Sequence, residues 1–202
     1  MRGEEIVVLA GGTGGAKLVR GFAGVVACQR LVAIVNTGDD IEIYGAYVSP
    51  DPDLVTFWLG DLIDERGWGL AGDSFNVMDA LRGLGVEVWF NLGDRDLAIG
   101  LERARALREG TRLTDAHAAL ASALGIGARV LPMSDRPVRT RVMAQGRWWP
   151  LQEFLIRGRG EGPIEEVLLE DLAFLRQVAR LFLRFLGEVS HLLGDSARCI
   201  LG

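Results

Sequence analysis

The segment VVLAGGTGGAKL, residues 7–18, places four glycines and a lysine directly after a short apolar run. The run itself, Ile6–Ala10, is rich in β-branched residues, as expected of a buried parallel strand. Residues 16–26 have helical spacing, so the glycines are predicted to form the turn between a strand and a helix. We therefore expect the chain to begin with the strand–turn–helix unit of an α/β fold.

Short apolar runs of the same kind recur along the chain and predict further strands. They are Leu31–Val35, residues 86–90 and residues 128–133, and each is followed by a polar turn. Helical spacing predicts helices over 97–109 and 114–124. This alternation indicates a mostly parallel sheet that carries helices on both faces. The sequence therefore predicts a fold of the α/β class.

Cap and turn residues refine this prediction. Thr114 is predicted to cap the helix over 114–124, and Gly125 to end it. A hairpin is predicted around Gly146, and a last helix over 172–193, where three arginines share one face. A basic stripe of this kind is compatible with a membrane surface. Packing against the core, with the arginines at a solvated edge, is the favoured interpretation.

The composition limits the classes of function. The chain has 202 residues and a net charge of −5, so we expect one domain, residues 1–202, and no nucleic-acid partner. No apolar run approaches the about 18 residues of a membrane helix, so no membrane partner is predicted. Cys28 and Cys199 form no CxxC pair, which favours reduced thiols and a cytoplasmic location.

The glycine-rich turn is predicted to bind an anion. It consists of Gly11, Gly12, Thr13, Gly14 and Gly15. Glycines let phosphate oxygens approach the backbone, and the helix that follows offers free N–H groups and its positive dipole end. Lys17 stands where the dinucleotide fingerprint needs a third glycine, and Leu18 stands where the P-loop needs Ser or Thr. A purely structural turn is the alternative.

Acidic turns follow the predicted strands, at the sheet edge where α/β proteins bind ligands. The polar residues in these turns are Asn36, Asp39, Asp40, Asp51, Asp53, Asp94, Arg95, Asp96, Ser134 and Asp135. Carboxylates and phosphate oxygens are preferred ligands of Mg²⁺, and the planar fork of Arg95 suits a transferring phosphoryl group. Solvated turns are the alternative for the acids, and a buried Arg–Asp brace is the alternative for Arg95.

Seven motifs, taken in order, resemble those of the 2-phospho-L-lactate transferase family of deazaflavin-coenzyme biosynthesis. They are GGTGGAKL, NTGDD, SPDPD, RGWGLAGDSF, WFNLGDRDLA, LTDAHAALASALG and VLPMSDRPVRT. The resemblance covers residues 6–170, and we expect residues 171–202 to be a divergent or truncated end. The chain departs from the family at Leu54, where relatives usually have Thr, and at Ile99 and Gly100, where they usually have Thr-His.

The resemblance implies a Rossmann-like enzyme that is a homodimer and uses Mg²⁺. Members of the family take a three-carbon acid activated by guanosine diphosphate (GDP), with a phospholactyl or phosphoenolpyruvyl unit. They transfer this unit to the terminal ribityl hydroxyl of 7,8-didemethyl-8-hydroxy-5-deazariboflavin (Fo) and release GMP. The product is a precursor of coenzyme F420.

The resemblance also implies roles for particular residues. The glycine turn and Lys17 would hold the donor diphosphate, and Asp53 and Asn91 fall at positions that bind the deazaflavin. The predicted metal ligands are Asp39, Asp40 and Asp53. The predicted catalytic residues are Asp39, Asp40, Asp94 and Arg95. The predicted substrate-binding residues outside the glycine turn are Lys17, Asn36, Asp53, Asn91, Asp96, Ser134 and Asp135.

Two other functions are compatible with the glycine turn. A related bacterial family of nucleotide-sugar-binding regulators shares it, but those proteins typically continue past the paired aspartates with Gly-Gly-Ser-Ser, where this chain has DDIEIYG. A nicotinamide-dependent oxidoreductase would need the missing third glycine. The sequence favours the transferase, leaves a non-catalytic regulator as the alternative, and does not decide which three-carbon acid is transferred.

Overall fold

A computed structural model describes residues 5–170 of the protein. The helices are α1 (Gly12–Ala23), α2 (Pro50–Leu59), α3 (Asn76–Gly83), α4 (Asp94–Arg108), α5 (Leu113–Ala123) and α6 (Leu151–Ile156). The strands are β1 (Ile6–Ala10), β2 (Leu31–Val35), β3 (Ile41–Ile43), β4 (Ala46–Val48), β5 (Arg129–Pro132), β6 (Thr140–Ala144), β7 (Arg147–Pro150) and β8 (Ile164–Leu169). A short 3-10 helix, Cys28–Arg30, leads into β2.

The centre of the fold is a parallel sheet in which β2 lies between β1 and β5. Ala10 at the end of β1 pairs with Val35 at the end of β2, and Val35 pairs with Pro132 at the end of β5. Helices α1 and α2 pack on each other and on this sheet, and α5 packs along β5. The predicted α/β class, with a parallel sheet flanked by helices, is confirmed.

The remaining strands pair antiparallel, outside the parallel sheet. β3 and β4 form a hairpin, and β6 lies between β7 and β8 in a second three-stranded sheet. The hairpin predicted around Gly146 is confirmed, and Gln145 and Gly146 have the positive φ angles, 55° and 72°, of a tight hairpin turn. The N–H of Thr140 donates to the carbonyl of Gly38 at 2.7 Å, which joins this second sheet to the loop after β2.

The strand predicted over 86–90 is wrong. Within residues 5–170 this segment pairs with no strand, and the N–H of Phe90 donates to the hydroxyl of Tyr44 at 3.3 Å. Val88 and Phe90 pack instead against an apolar cluster that includes Met78. A short apolar run can be buried in a sheet or in such a cluster, and its periodicity does not show which of the two it forms.

The boundaries of three helices differ from the prediction. α1 begins at Gly12 rather than at residue 16, so the glycines belong to its first turn. α4 begins at Asp94 rather than at residue 97. Thr114 is not the N-cap of α5, because that helix begins at Leu113. Gly125, with a φ of 79°, follows the end of α5 as predicted.

Helix α2 occupies a segment whose sequence, SPDPD, predicts an acidic turn. Pro50 stands at its first position, where the missing N–H of proline leaves no helical hydrogen bond unmade. Asp51 and Asp53 lie in the first turn, where carboxylates complement the positive end of the helix dipole. The two acids therefore belong to a rigid element rather than to a loop.

Two predictions concern the end of the chain. The helix predicted over 172–193 and the divergent segment predicted over 171–202 both lie outside the described residues. None of the helices within residues 5–170 is long and apolar enough to cross a membrane.

Candidate functional site

The loops that follow β1, β2 and β5 meet at the carboxyl end of the parallel sheet. The N–H of Asn36 donates to the carbonyl of Ala10 at 3.0 Å, and the N–H of Met133 donates to the carbonyl of Val35 at 2.8 Å. Strand pairing thus continues into the segments that carry the predicted site residues. These segments lie at the edge where α/β proteins bind ligands.

The first turn of α1 allows close approach of a ligand. Gly12 has a φ of 62°, a left-handed conformation that other residues rarely adopt. A Cβ at Gly15 would lie 3.1 Å from Ala10, whereas a Cβ at Gly14 would meet no atom within 4 Å. Thr13 and Gly14 are exposed. The turn therefore leaves open space at the N-terminus of a 12-residue helix, whose amides and dipole favour an anion.

Asp51 already occupies the first amide of this turn. The N–H of Gly12 donates to Asp51 Oδ1 at 2.8 Å, and Nδ2 of Asn36 donates to Asp51 Oδ2 at 2.9 Å. The start of α2 is thereby tied to the start of α1 and to the loop after β2. An incoming phosphate would meet the amides that follow Gly12, beside a fixed carboxylate.

Asp39 lies on the other side of Asn36. Nδ2 of Asn36 is 3.4 Å from Asp39 Oδ1, and Gln152 of α6 donates to Asp39 Oδ2 at 3.0 Å. Burial, followed by the negative charges of Asp51 and Asp40, raises the pKa of Asp39 to about 7. A bound cation would offset this concentration of negative charge.

Asp40 is buried and accepts hydrogen bonds from two hydroxyl groups. Ser49 donates to Oδ1 at 2.7 Å, and Tyr47 donates to Oδ2 at 2.9 Å. Burial raises the pKa of Asp40 to about 7 despite these bonds. The guanidinium of Arg139 lies 5.2 Å from the centre of the Tyr47 ring. Asp40 is therefore held by β4 and the residue after it, and both of its oxygens are engaged.

Asp53 is paired with a buried arginine, Arg103 of α4. Nη1 of Arg103 donates to Asp53 Oδ2 at 3.0 Å, and Nη2 donates to Asp53 Oδ1. Arg103 is fully buried, and Asp53 is 6% exposed. Arg95, for which the sequence left a buried brace open, is exposed and donates to the carbonyl of Ala71 at 3.2 Å. The brace between an arginine and an aspartate is formed by Arg103.

Asp94 and Asp96 begin α4 but have different surroundings. Asp94 accepts the N–H groups of Val77 at 2.9 Å and Asn76 at 3.0 Å, and these hydrogen bonds lower the pKa of Asp94 to about 2. Asp94 therefore caps α3. Asp96 is half-buried, and burial raises its pKa to about 7. Whether either side chain takes part in the reaction or in substrate binding stays a prediction.

Two predicted substrate-binding side chains contact other parts of the protein. The ammonium of Lys17 lies 5.5 Å from the centre of the Trp58 ring, on the packed pair α1 and α2. Oδ1 of Asn91 accepts a hydrogen bond from Arg82 at 2.7 Å. Both residues are exposed, and their roles in substrate binding stay predictions.

Ser134 and Asp135 stabilise the turn after β5. The Ser134 hydroxyl donates to the carbonyl of Arg136 at 2.9 Å and accepts its N–H at 3.0 Å. Asp135 Oδ1 accepts the N–H of Thr114 at 2.8 Å, so Asp135 supplies the cap for α5 that the sequence assigned to Thr114. These contacts match the turn role that the sequence left open, and ligand binding by the pair stays a prediction.

The predicted metal ligands fit Mg²⁺ only in part. Residues 5–170 contain no group of three or more His, Cys, Asp or Glu that could hold a metal ion. Asp53 is paired with the positive charge of Arg103, and Asp40 is 3% exposed. Asp39 and Asp51 also accept a hydrogen bond at each oxygen, but a carboxylate oxygen keeps a second lone pair. Because they face the same Asn36 amide, these two fit a Mg²⁺ that takes its other ligands from phosphate and water. A trio of protein carboxylates is not formed.

Four side chains that hold these carboxylates were not predicted from the sequence. They are Tyr47, Ser49, Arg103 and Gln152. A signal exists for Arg103, because it follows Leu97 and Gly100 at helical intervals of three and both of those residues are buried. That spacing puts Arg103 on the buried face of α4.

Comparisons with known proteins agree with the motifs. Residues 6–178 match the family model described as 2-phospho-L-lactate transferase CofD. The chain is 34% identical over 192 residues to a 2-phospho-L-lactate transferase of Methanosarcina mazei, covering 95% of this chain and 63% of that protein. It is 44% identical over 141 residues to a phosphoenolpyruvate transferase of Kitasatospora aureofaciens, covering 68% of this chain and 44% of that protein.

A similar solved structure is that of a UPF0052 family member from Bacillus halodurans. It is 18% identical, with a TM-score of 0.49, and the match covers 85% of this chain and 52% of that one. The chain spans 63% or less of the length of each relative named here.

Proposed function

Because the chain belongs to the 2-phospho-L-lactate transferase CofD family, we propose that it transfers a phospholactyl or phosphoenolpyruvyl group from a GDP-activated donor to the deazaflavin Fo. The terminal ribityl hydroxyl of Fo attacks the phosphorus that carries the three-carbon acid. The bond from that phosphorus to the GMP oxygen breaks, GMP leaves, and the hydroxyl proton passes to a base. The product is a phosphodiester precursor of coenzyme F420.

One observation carries this proposal: the glycine turn and the pair Asp39 and Asp51 meet around Asn36. The turn leaves open helix amides for the donor diphosphate. Asp51 accepts the N–H of Gly12 in this turn, and Asp39 lies on the other side of the Asn36 side chain. The transferred phosphorus would be placed between the turn and these carboxylates. Phosphoryl-type transfer depends mainly on positioning and charge neutralisation, and the arrangement supplies groups for both.

Magnesium belongs to the proposal because of this charge arrangement. Asp39 and Asp51 would hold the ion, together with donor phosphate oxygens. When bound, Mg²⁺ would neutralise the charge of the diphosphate. Asn36 and Gln152 orient the two carboxylates through their side-chain amides, which keeps the carboxylates in place before the donor arrives.

The remaining parts of the proposal follow from family membership. We expect a homodimer, a cytoplasmic location, GDP binding at the glycine turn, and contact of the acceptor with Asp53. The relatives named above include a phospholactate and a phosphoenolpyruvate transferase, so either acid is a candidate. The alternative, a non-catalytic nucleotide-sugar-binding regulator, gains no support from these transferases.

The proposal is tested by mixing the protein with Fo, Mg²⁺ and either the phospholactyl or the phosphoenolpyruvyl derivative of GDP. Mass spectrometry then detects the product, and one donor is expected to be used faster. Asp39→Asn should lower the rate about 100-fold or more, because a carboxylate that would hold Mg²⁺ beside the donor phosphates is lost.

Asp79→Asn is the matched control for Asp39→Asn. Asp79 lies on α3 with its side chain 73% exposed and pairs with Arg82, so its substitution should leave the rate unchanged. Absence of product with both donors would contradict the proposal. Equal rates for Asp39→Asn and the unsubstituted protein would remove Asp39 from the site.

A further inference from the structure

We propose that Arg103 is a positioning residue that holds the Asp53 carboxylate in the orientation needed to contact the acceptor, an inference that rests on the proposed function. Arg103 lies on the buried face of α4 and contacts Asp53 in the first turn of α2.

The contacts of Arg103 fix both oxygens of Asp53. The two Nη atoms donate to the two carboxylate oxygens, as a fork, and Nη1 also donates to the carbonyl of Tyr47 at 2.9 Å. A planar guanidinium fork sets the plane of the carboxylate as well as its distance. Asp53 is therefore held in one orientation.

The same arginine also organises the support of Asp40. The carbonyl that it binds belongs to Tyr47, whose hydroxyl donates to Asp40. Ser49, the second hydroxyl donor to Asp40, accepts the N–H of Asp53 at its carbonyl, at 3.0 Å. One buried guanidinium thus connects α4, the end of β4 and the first turn of α2.

The electrostatic balance around Arg103 requires a permanent cation. Burial lowers the pKa of Arg103, but the charge of Asp53 and its hydrogen bonds, followed by the charges of Asp40 and Asp96, raise it above its ordinary value. Without this cation three acids would face one another in a buried space. Arg103 therefore stays charged beside the three carboxyl groups.

Stability alone does not account for this pair. A buried ion pair loses much of its attraction to desolvation, and apolar residues of similar volume often stabilise a protein as well or better. Nε of Arg103 has no hydrogen-bond partner within the described residues, so the burial is not fully compensated. What the pair provides beyond stability is a fixed direction for one carboxylate.

Helix α4 packs closely against β4 at Gly100, one helical turn before Arg103. A Cβ at Gly100 would lie 3.0 Å from Cβ of Ala46 and 3.3 Å from the carbonyl oxygen of Tyr47. Gly100 stands one helical turn before Arg103 on the same face, and α4 approaches β4 closely there.

Arg103→Lys tests the inference, because lysine keeps the charge but has no fork. Binding of Fo is followed by the change in deazaflavin emission, without turnover, and binding of GDP by calorimetry. We expect Fo affinity to fall about 10- to 100-fold and GDP affinity to stay within about twofold. In the double variant with Asp53→Asn, the Fo affinity should be no lower than in Asp53→Asn alone, because Arg103 acts through Asp53.

Arg105→Lys is the matched control, since Arg105 lies on the same helix and pairs with exposed Glu102 and Glu109. Arg103→Gln, tested in parallel, keeps N–H donors and serves if the lysine variant does not fold. If a folded Arg103 variant binds Fo as tightly as the natural chain, Arg103 does not position Asp53, although the proposed function stands. The same holds if the affinities for Fo and for GDP fall equally. A natural chain that binds no Fo would overturn the proposed function, and the inference with it.

Discussion

The glycines of the α1 turn differ in what they contribute. Gly12 has a left-handed φ, so Gly12→Ala should lower the free energy of unfolding by about 1 kcal/mol. Gly14 has open space above it, and Gly14→Ala should leave stability unchanged or raise it by up to about 1 kcal/mol. If phosphate binds in that space, Gly14→Ala should nevertheless weaken GDP binding at least about tenfold.

Urea unfolding and GDP calorimetry on the two alanine variants separate these effects. Gly21→Ala is the control, because Gly21 also lies in α1 and a Cβ there meets no atom within 4 Å, but it is two turns from the proposed phosphate. A Gly14→Ala protein that binds GDP as well as the natural chain would place the diphosphate elsewhere.

Arg103 shows why part of the site escapes prediction from sequence. Four arginines, at 95, 103, 105 and 108, occur within α4, and each is a plausible surface residue. Only the direction of the buried α4 face distinguishes them, and Leu97 and Gly100, at intervals of three before Arg103, are the local hints. By contrast, Asp39 was predictable, because it follows β2 of the parallel sheet and the carboxyl ends of parallel strands meet at one edge.

Helices α3 and α4 cap each other through two aspartates. Asp94 accepts backbone N–H groups at the start of α3, and Asp73 accepts those of Arg95 and Asp96 at the start of α4. We expect Asp73→Ala and Asp94→Ala each to lower the free energy of unfolding by about 1 kcal/mol. Urea denaturation measures this loss, and the exposed substitution Asp79→Ala should change it by less than about 0.5 kcal/mol.

The same variants decide between two roles for Asp94. The sequence predicts a catalytic carboxylate, whereas the hydrogen bonds of Asp94 identify a helix cap. Loss of transferase activity in Asp94→Ala with an unchanged free energy of unfolding would favour the catalytic role. A loss of stability in Asp94→Ala that is matched in Asp73→Ala would favour the cap.

Elements of the fold were predictable to different degrees. β1, β2 and β5 are short β-branched runs bounded by polar turns, and that pattern has few other solutions. The run at 86–90 has the same composition, but it packs on the cluster around Met78. α2 was not predicted because Pro50 and Pro52 suggest a turn, although proline is common in the first turn of a helix. Tertiary packing decides such cases.

Three carboxyl groups with raised pKa values should make the protein less stable as pH rises. Burial raises the pKa of Asp39, Asp40 and Asp96 to about 7, whereas these groups titrate near 3.9 when unfolded. Between about pH 4 and 7 the folded state therefore binds more protons than the unfolded state. Its free energy of unfolding must fall as pH rises through this window.

His117 has the opposite effect on the pH dependence of the free energy of unfolding. Burial, followed by the charge of Arg103, lowers the pKa of His117 to about 4. The unfolded state therefore binds a proton at this imidazole more readily than the folded state, and the protein loses stability as pH falls from about 6.5 to 4. Within residues 5–170, burial raises the pKa of these three carboxyl groups and lowers the pKa of this one imidazole. The carboxyl groups therefore dominate, and the free energy of unfolding should fall as pH rises.

We therefore expect the protein, without Mg²⁺ or GDP, to be more stable in urea at pH 5 than at pH 8. Asp96→Asn removes one raised carboxyl group, so it should flatten this dependence and stabilise the protein by about 2 kcal/mol at pH 8. Asp115→Asn is the control, because Asp115 is exposed and its pKa is lowered by the hydrogen bond from Arg112.

Mg²⁺ should restore more stability at pH 8, where Asp39 is ionised, than at pH 5. A stability that rises from pH 5 to pH 8 in the absence of metal would mean that the carboxylates around Asn36 and Arg103 are solvated, and that the charge arrangement behind the proposed site is wrong.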